Sequence, residues 1–254
     1  MFERRNTTIR TFIDGEGPDP ARLRTALAWL QREATGRGAE GVIVVPGFDS
    51  AEGLAAIITE RGLKALRAGQ VVKFGSAPVT LTTTRKLGSS FLTGRVVLAL
   101  YLPPKDLARL DDLNAAAICV VPWMDSEVRA WRQTWNPVDL SGAAAPAPAT
   151  TPLSGVVHRA LRSLTRGVNL STGLGHPRDK DKAVWMFRIL REASERFDAP
   201  SIRAWGANNG WTVRGADDLA SVAEAIRTGK RVQAGERPWR ADILDQWRAE
   251  DQDQ

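Results

Sequence analysis

The hydrophobic positions change character partway along the 254-residue chain. In the first part, short runs of consecutive apolar residues alternate with stretches in which apolar residues recur every three or four positions. The short runs are typical of strands that are buried on both faces, and the longer stretches are typical of amphipathic helices. The pattern predicts strands at 41–45, 71–74, 79–84, 96–102 and 116–121, and helices at 21–34, 51–66, 105–113 and 126–135.

Buried strands that alternate with helices indicate parallel strands joined by crossover helices. We therefore predict that residues 1–140 form a Rossmann-like α/β domain with a mostly parallel sheet, in a strand order that the pattern leaves open. Residues 141–152 have no charge and no large side chain, and they contain three prolines. Such a segment cannot pack a core, so we predict a semi-stiff linker there.

After the linker only helical patterns remain, at 156–164, 181–197, 201–209, 217–228 and 241–249. Residues 153–254 are therefore predicted to form a small all-α helical domain with a frayed acidic end at 250–254. Within it, a helix, a turn that contains Gly210 and a second helix have the spacing of a helix-turn-helix-like pair. Units of this kind commonly read DNA, and they also serve as protein docking modules.

The same pair carries a resemblance that covers roughly thirty residues. The matching residues are Ile202-Arg203-Ala204-Trp205, Asn209-Gly210, Val213, Arg214-Gly215, and Val222 and Ala225 in the second helix. This segment resembles the C-terminal DNA-binding domain of the actinobacterial nucleoid-associated xenogeneic silencers. The resemblance implies an Arg-Gly-Arg hook that enters the minor groove of AT-rich DNA. Arg214 and Gly215 match the hook, whereas Ala216 stands in place of the second arginine.

The charge also favours a polyanionic partner, because the net charge is +6 and the sequence pI is about 10.0. No acidic residue lies between Asp139 and Asp179, and a predicted helix in this window carries arginines three and four positions apart. Such spacing places the arginines on one stripe of the helix. The predicted nucleic-acid contacts are Arg159, Arg162, Arg166, Arg214 and Lys230.

A phrase in the first domain occurs twice, since Val44-Val45-Pro46-Gly47-Phe48-Asp49-Ser50 returns as Val120-Val121-Pro122-Trp123-Met124-Asp125-Ser126. Proline ends each strand, and the Asp or Ser that follows can accept hydrogen bonds from the first turn of the next helix. Helix capping is therefore one interpretation. The other is a ligand crevice at the carboxyl ends of the strands. Its predicted lining residues are Asp49, Ser50, Arg85, Asp125 and Ser126.

Catalytic signatures are missing. The sequence has no G-x-G-x-x-G after the first strand and no phosphate-binding P-loop motif. It has two histidines in the second domain and one cysteine, Cys119, which we expect to be an inert buried thiol. Asp111 and Asp112 are expected to lie on a solvated helix face. We therefore expect no catalytic residue, no metal site and no cofactor.

Three functions remain open. The favoured one is a non-catalytic DNA-associated protein whose α/β domain binds a partner or ligand. The alternatives are an enzyme or nucleotide sensor that uses the strand-end crevice, and a protein-interaction adaptor in a larger complex. The expected partners are double-stranded DNA or another protein. The sequence shows no membrane span and no signal peptide, so we expect a cytoplasmic protein without a membrane partner.

Overall fold

The computed structural model describes residues 7–88, 91–142 and 152–249. These residues fall into two compact units, an α/β unit within 7–142 and a helical unit within 152–249. Most of the predicted linker, residues 143–151, lies outside the described residues, and so does the predicted acidic end at 250–254.

The α/β unit is built on a seven-stranded sheet. Its strands are β1 (Ile9–Phe12), β2 (Gly41–Val45), β3 (Val72–Phe74), β4 (Ala77–Thr83), β5 (Val96–Leu100), β6 (Ala117–Val121) and β7 (Val138–Asp139). They lie in the order β3-β4-β2-β5-β6-β1-β7, and every neighbouring pair is parallel except β3 and β4. The predicted α/β class with a mostly parallel sheet is therefore confirmed.

Helices cover both faces of this sheet. They are α1 (Pro20–Arg37), a 3-10 helix (Phe48–Leu54) that continues into α2 (Ala55–Arg67), α3 (Pro104–Asp111) and α4 (Asp125–Trp135). Strand β2 shows why its apolar run is unbroken. Ile43 packs into the core beneath α1 and α2, whereas Val42 and Val44 pack into the core beneath α3 and α4. A strand buried on both faces needs apolar side chains at every position.

The direction of the crossover connections reverses at two places in the sheet. The neighbouring strands β2 and β5 are followed by α2 and α3, which pack on opposite faces. The neighbouring strands β6 and β1 are followed by α4 and α1, which also pack on opposite faces. Between β2 and β5 the connections diverge, toward β4 and toward β6, so the carboxyl ends of these two strands are left as a crevice where ligands bind in open α/β sheets. The connections after β6 and β1 instead run past each other on opposite faces, to β7 and to β2.

The helical unit contains α5 (Gly155–Gly167), α6 (Pro177–Glu192), α7 (Ala199–Asn208), α8 (Val213–Arg227) and α9 (Ile243–Ala249). No strand occurs in this unit within residues 152–249. Four of the helices begin at a side-chain cap, which Ser154, His176, Asp198 and Thr212 provide. Across both units, none of the described helices has the length and apolar character needed to cross a bilayer.

Candidate functional site

Helix α5 contacts the α7–α8 pair along one line of residues. The Trp211 indole Nε1 donates a hydrogen bond of 2.9 Å to the hydroxyl oxygen of Thr165. Seven positions earlier, the His158 ring meets the Trp205 ring with 6.5 Å between centroids. At about 100° per residue, positions seven apart lie on nearly the same side of a helix. This line of α5 therefore faces the α7–α8 pair.

A second line of α5 residues holds α9. The Arg159 Nε donates a hydrogen bond to the main-chain carbonyl of Trp247. The Trp247 indole Nε1 donates one of 3.1 Å to the hydroxyl of Ser163. Arg159 therefore lies on the same side of α5 as Arg162 and Arg166, but its Nε is already bonded to α9.

Arg162 and Arg166 lie in an exposed strip between those two lines of contact. Their positions on the helical wheel, at about 40° and 80° from His158, fall between the side that meets α7 and the side that meets α9. Neither arginine forms an ion pair with any other residue that the structure describes. The two guanidinium groups are therefore available to an external anion.

Arg214 lies in the first turn of α8 and is also exposed and outside any ion pair among the described residues. The turn before it is anchored by the bond from Trp211 to Thr165, the neighbour of Arg166. We call Arg162, Arg166 and Arg214 the arginine surface. Residues 152–249, which include it, contain 17 Lys and Arg against 11 Asp and Glu.

The fifth predicted contact, Lys230, does not join the arginine surface. It lies beyond the C-terminal end of α8, roughly 20 Å along the helix from Arg214 at 1.5 Å per residue. There it lines a shallow groove with Asp217 and Glu224. A lysine beside two carboxylates contributes little attraction for DNA, so Lys230 is left out of the arginine surface.

The two histidines have structural surroundings. Burial, and next the nearby Arg162 and Arg159, lower the pKa of His158, so this ring is neutral at pH 7 and adds no charge to the surface. The His176 Nδ1 accepts a 3.3 Å hydrogen bond from the Arg178 main-chain N–H and caps α6.

In the α/β unit, the predicted crevice residues divide into two groups. Asp49, Ser50 and Arg85 follow β2 and β4, whereas Asp125 and Ser126 follow β6. Strand β5 lies between β2 and β6, so the two groups are about 10 Å apart at two strand spacings. All five residues lie at the carboxyl edge of the sheet but do not converge on one point.

Helix capping at the repeated phrase also differs from its predicted form. No Asp or Ser side chain caps the helix at either of the two junctions that carry the phrase. At α4 the Glu127 carboxylate caps instead, accepting hydrogen bonds of 3.1 and 3.2 Å from the Trp123 and Met124 N–H groups. Asp125 does not cap the helix and instead accepts a 2.8 Å bond from Arg132.

Two residues at this edge were not predicted. The Arg22 guanidinium, in α1, donates hydrogen bonds to the carbonyl oxygens of Ile13, Gly17 and Pro122 at 2.9 to 3.1 Å. Tyr101 follows β5 at φ 57°, which is uncommon for a residue other than glycine. Both residues are 8% exposed, and the Arg22 Nε and Tyr101 hydroxyl lack a hydrogen-bond partner among the described residues.

Tyr101, after β5, lies beside residues of two other parts of the chain, Arg22 in α1 and Trp123 after β6. Its ring lies edge-on to Trp123, which follows β6 and is 44% exposed, with 5.3 Å between ring centroids. Burial raises the pKa of Tyr101, while the positive charge of Arg22 acts in the opposite direction. The phenol is therefore neutral at pH 7 and able to donate a hydrogen bond. No sequence signal marks this cluster, because it assembles from positions 22, 101 and 123 only when β1, β5 and β6 are neighbours.

A buried ionic network occupies the opposite side of the sheet from α1. The Asp111 carboxylate accepts hydrogen bonds from Arg10 at 2.8 Å, Trp131 at 2.7 Å and Trp135 at 3.0 Å. Asp111 is 4% exposed, so the predicted solvated face is wrong at this residue. The carboxylate turns inward because β1 supplies a buried arginine, and the sequence pattern had not predicted that strand.

Groups for covalent or metal chemistry are not found at these sites. Cys119 lies in β6 and is buried, and burial raises the pKa of its thiol to about 12. The thiolate is therefore not formed near pH 7, in agreement with the expected inert thiol. Within the described ranges, no three His, Cys, Asp or Glu side chains group as a metal site would require.

Comparison with known proteins adds one match. A family model described as "Domain of unknown function (DUF1889)" matches residues 153–248, a range that corresponds to the helical unit. No curated protein and no solved structure matches the chain. The helical unit is thus similar to sequences whose function is unknown.

Proposed function

We propose that the helical unit binds double-stranded DNA through the arginine surface. The observation that carries this proposal is that Arg162, Arg166 and Arg214 are exposed and form no ion pair with a carboxylate in the described part of the chain, and that the Trp211–Thr165 hydrogen bond links α5 to the turn before Arg214. Guanidinium groups bind phosphate oxygens through two parallel hydrogen bonds, and unpaired arginines need break no ion pair to do so.

The α7–α8 pair is the element that we expect to enter a groove. Its turn and the first residues of α8 resemble the silencer DNA-binding domain, and a helix-turn-helix-like pair presents the start of its second helix to DNA. Arg214 and Gly215 lie inside the first turn of α8, and Ala216 is fully buried. This arrangement supports phosphate contacts by Arg214 over an extended hook in the minor groove.

The test is a salt titration of binding to a duplex oligonucleotide. Arg162→Gln/Arg166→Gln/Arg214→Gln is expected to weaken binding at low salt and to reduce the slope of log K against log salt by about two to three, since each lost phosphate contact removes about 0.9.

The matched control is Arg24→Gln/Arg32→Gln/Arg61→Gln, which removes three exposed arginines from α1 and α2 and changes the net charge equally. Its salt slope should stay close to that of the wild type. Equal losses in the two triple variants would show that overall charge, and not the arginine surface, attracts DNA. Absence of duplex binding at low salt would overturn the proposal.

We propose a second function for the α/β unit, whose mostly parallel sheet would bind a small ligand at the carboxyl ends of β5 and β6, beside α1. The Tyr101 hydroxyl and the Arg22 Nε favour it, because buried polar atoms in native proteins are nearly always hydrogen-bonded. Both atoms are donors, so they fit a ligand that carries acceptor atoms, and the exposed ring of Trp123 beside them fits a planar group.

Tyr101→Phe separates the ligand role of this residue from a packing role. In the free protein, removal of an unsatisfied buried hydroxyl should leave the melting temperature unchanged or slightly higher. If a panel of nucleotides and sugar phosphates includes a ligand, its stabilising shift in the wild type should shrink in the variant. A wild type that no member of the panel stabilises, or an undiminished shift in Tyr101→Phe, would contradict this assignment.

A further inference from the structure

The helical unit contains an open groove of about 770 Å³ between α6 and the segment that follows α8. We call residues 231–235 the strap, because they cross α6 without regular secondary structure. The strap forms one wall of the groove, and the first turns of α6 with Leu174 and Gly175 form the other.

Two side chains of α6 fix the position of the strap, and thereby the shape of the groove, by hydrogen bonds to strap carbonyls. Arg188 donates a 2.6 Å hydrogen bond to the Val232 carbonyl, and the Trp185 indole donates one of 2.9 Å to the Gly235 carbonyl. Gly235 allows this close approach, since a Cβ there would lie 2.9 Å from a carboxylate oxygen of Asp181. The groove is thus formed before any ligand arrives.

The charges that line the groove favour an anion. Lys180, Arg188 and Arg231 contribute three cations, and Asp181 contributes one carboxylate. Lys180 and Arg231 are exposed and form no ion pair with other described residues. The main-chain N–H groups of the strap also donate no hydrogen bond to any residue in the described ranges, whereas two strap carbonyls are already bonded to α6. Free donors and an excess of cations are the requirements for binding phosphate.

We propose that this groove binds a phosphate group, with Lys180 and Arg231 as its charged contacts. The site is distinct from the arginine surface and goes beyond the proposed DNA contacts. One loop separates the two, because Gly173 packs on Gly215 in the first turn of α8 and the next residues, Leu174 and Gly175, line the groove. The phosphate therefore belongs either to the same DNA backbone or to a free phosphorylated molecule.

The experiment measures binding of the full chain to two probes, inorganic pyrophosphate and a duplex oligonucleotide. Lys180→Gln/Arg231→Gln is expected to weaken at least one of them. Asp181→Asn is expected to tighten the same probe by about two- to fivefold, the range that an exposed charge pair contributes. A gain in affinity cannot result from misfolding. Arg24→Gln/Arg61→Gln is the control with the same charge change in the other unit.

Each outcome decides the proposal. Loss of pyrophosphate binding alone identifies a free phosphorylated ligand, and loss of duplex binding identifies the DNA backbone as the source. The proposal is overturned if Lys180→Gln/Arg231→Gln binds both probes like the wild type, or if Asp181→Asn tightens neither. The arginine-surface triple variant keeps the groove intact and should bind pyrophosphate like the wild type. If the arginine surface does not bind DNA, pyrophosphate binding at the groove is therefore unaffected, and the two proposals can fail independently.

Discussion

At the scale of single residues, Asp111 has the strongest consequence for stability. Burial raises the pKa of its carboxyl to about 6, even though the Arg10 charge and three hydrogen bonds act to lower it. The corresponding pKa in the unfolded chain is 3.8. A group whose pKa rises on folding stabilises the fold fully below its unfolded pKa, and this contribution is lost as the pH rises through the folded pKa.

We therefore expect Asp111 to make the free energy of unfolding fall between pH 4 and pH 7, by at most about 3 kcal/mol relative to a variant without this titration. Asp111→Asn should lack that contribution. Urea unfolding of both proteins at a series of pH values measures this difference.

The exposed neighbour Asp112 supplies the control, since Asp112→Asn should keep the pH dependence of the wild type. The emission of Trp131 and Trp135 provides a second readout, because both indoles donate to the Asp111 carboxylate. Identical pH profiles for Asp111→Asn and the wild type would show that the carboxyl stays ionised in its ion pair throughout this range.

At the scale of secondary-structure elements, the contact between the loop before α6 and the first turn of α8 is unusually close. A Cβ on Gly173 would lie 3.0 Å from the Gly215 Cα, and Gly173 also has φ 56°. Gly173→Ala should therefore destabilise the helical unit by about 2–4 kcal/mol, as left-handed strain and overpacking add together.

Gly229→Ala separates those two causes. Gly229 has φ 75°, and nothing lies within 4 Å of its added Cβ, so this variant carries the strain alone and should lose only about 1–2 kcal/mol. Urea unfolding of the two variants gives the difference. Equal losses in the free energy of unfolding would mean that the loop at Gly173 moves to accept the added Cβ. The close contact with Gly215, the residue after Arg214, would then not fix the position of Arg214.

The elements themselves were largely predictable, and the exceptions have a physical reason. The apolar runs of β2, β5 and β6 are complete because both faces of each strand are buried. Strand β1 has the sequence Ile-Arg-Thr-Phe and was not predicted. Its arginine is buried because it pairs with Asp111, a distant residue that the local sequence pattern cannot reveal. Strand β7 has only two residues, too few for any periodicity.

At the scale of the whole molecule, strand order decided which predicted residues meet. The sequence placed Asp49 and Asp125 at one sheet edge correctly, but it could not show that β5 lies between their strands. The cluster of Arg22, Tyr101 and Trp123 depends on the same order, and so does not correspond to any local motif. In the helical unit, exposure at α5 was predictable for Arg162 and Arg166, whereas the bond from Arg159 to α9 links residues 88 positions apart.

The pairing of β1 has a consequence for how the chain is made. Its partners in the sheet are β6 and β7, so residues 9–12 wait for residues 117–120 before they gain a neighbour. At about 5–20 residues per second, roughly 5–20 s of synthesis separate the two on the ribosome. Strand β1 is therefore synthesised well before either of its partners, and Arg10 and Phe12 stay outside the sheet until β6 has been made.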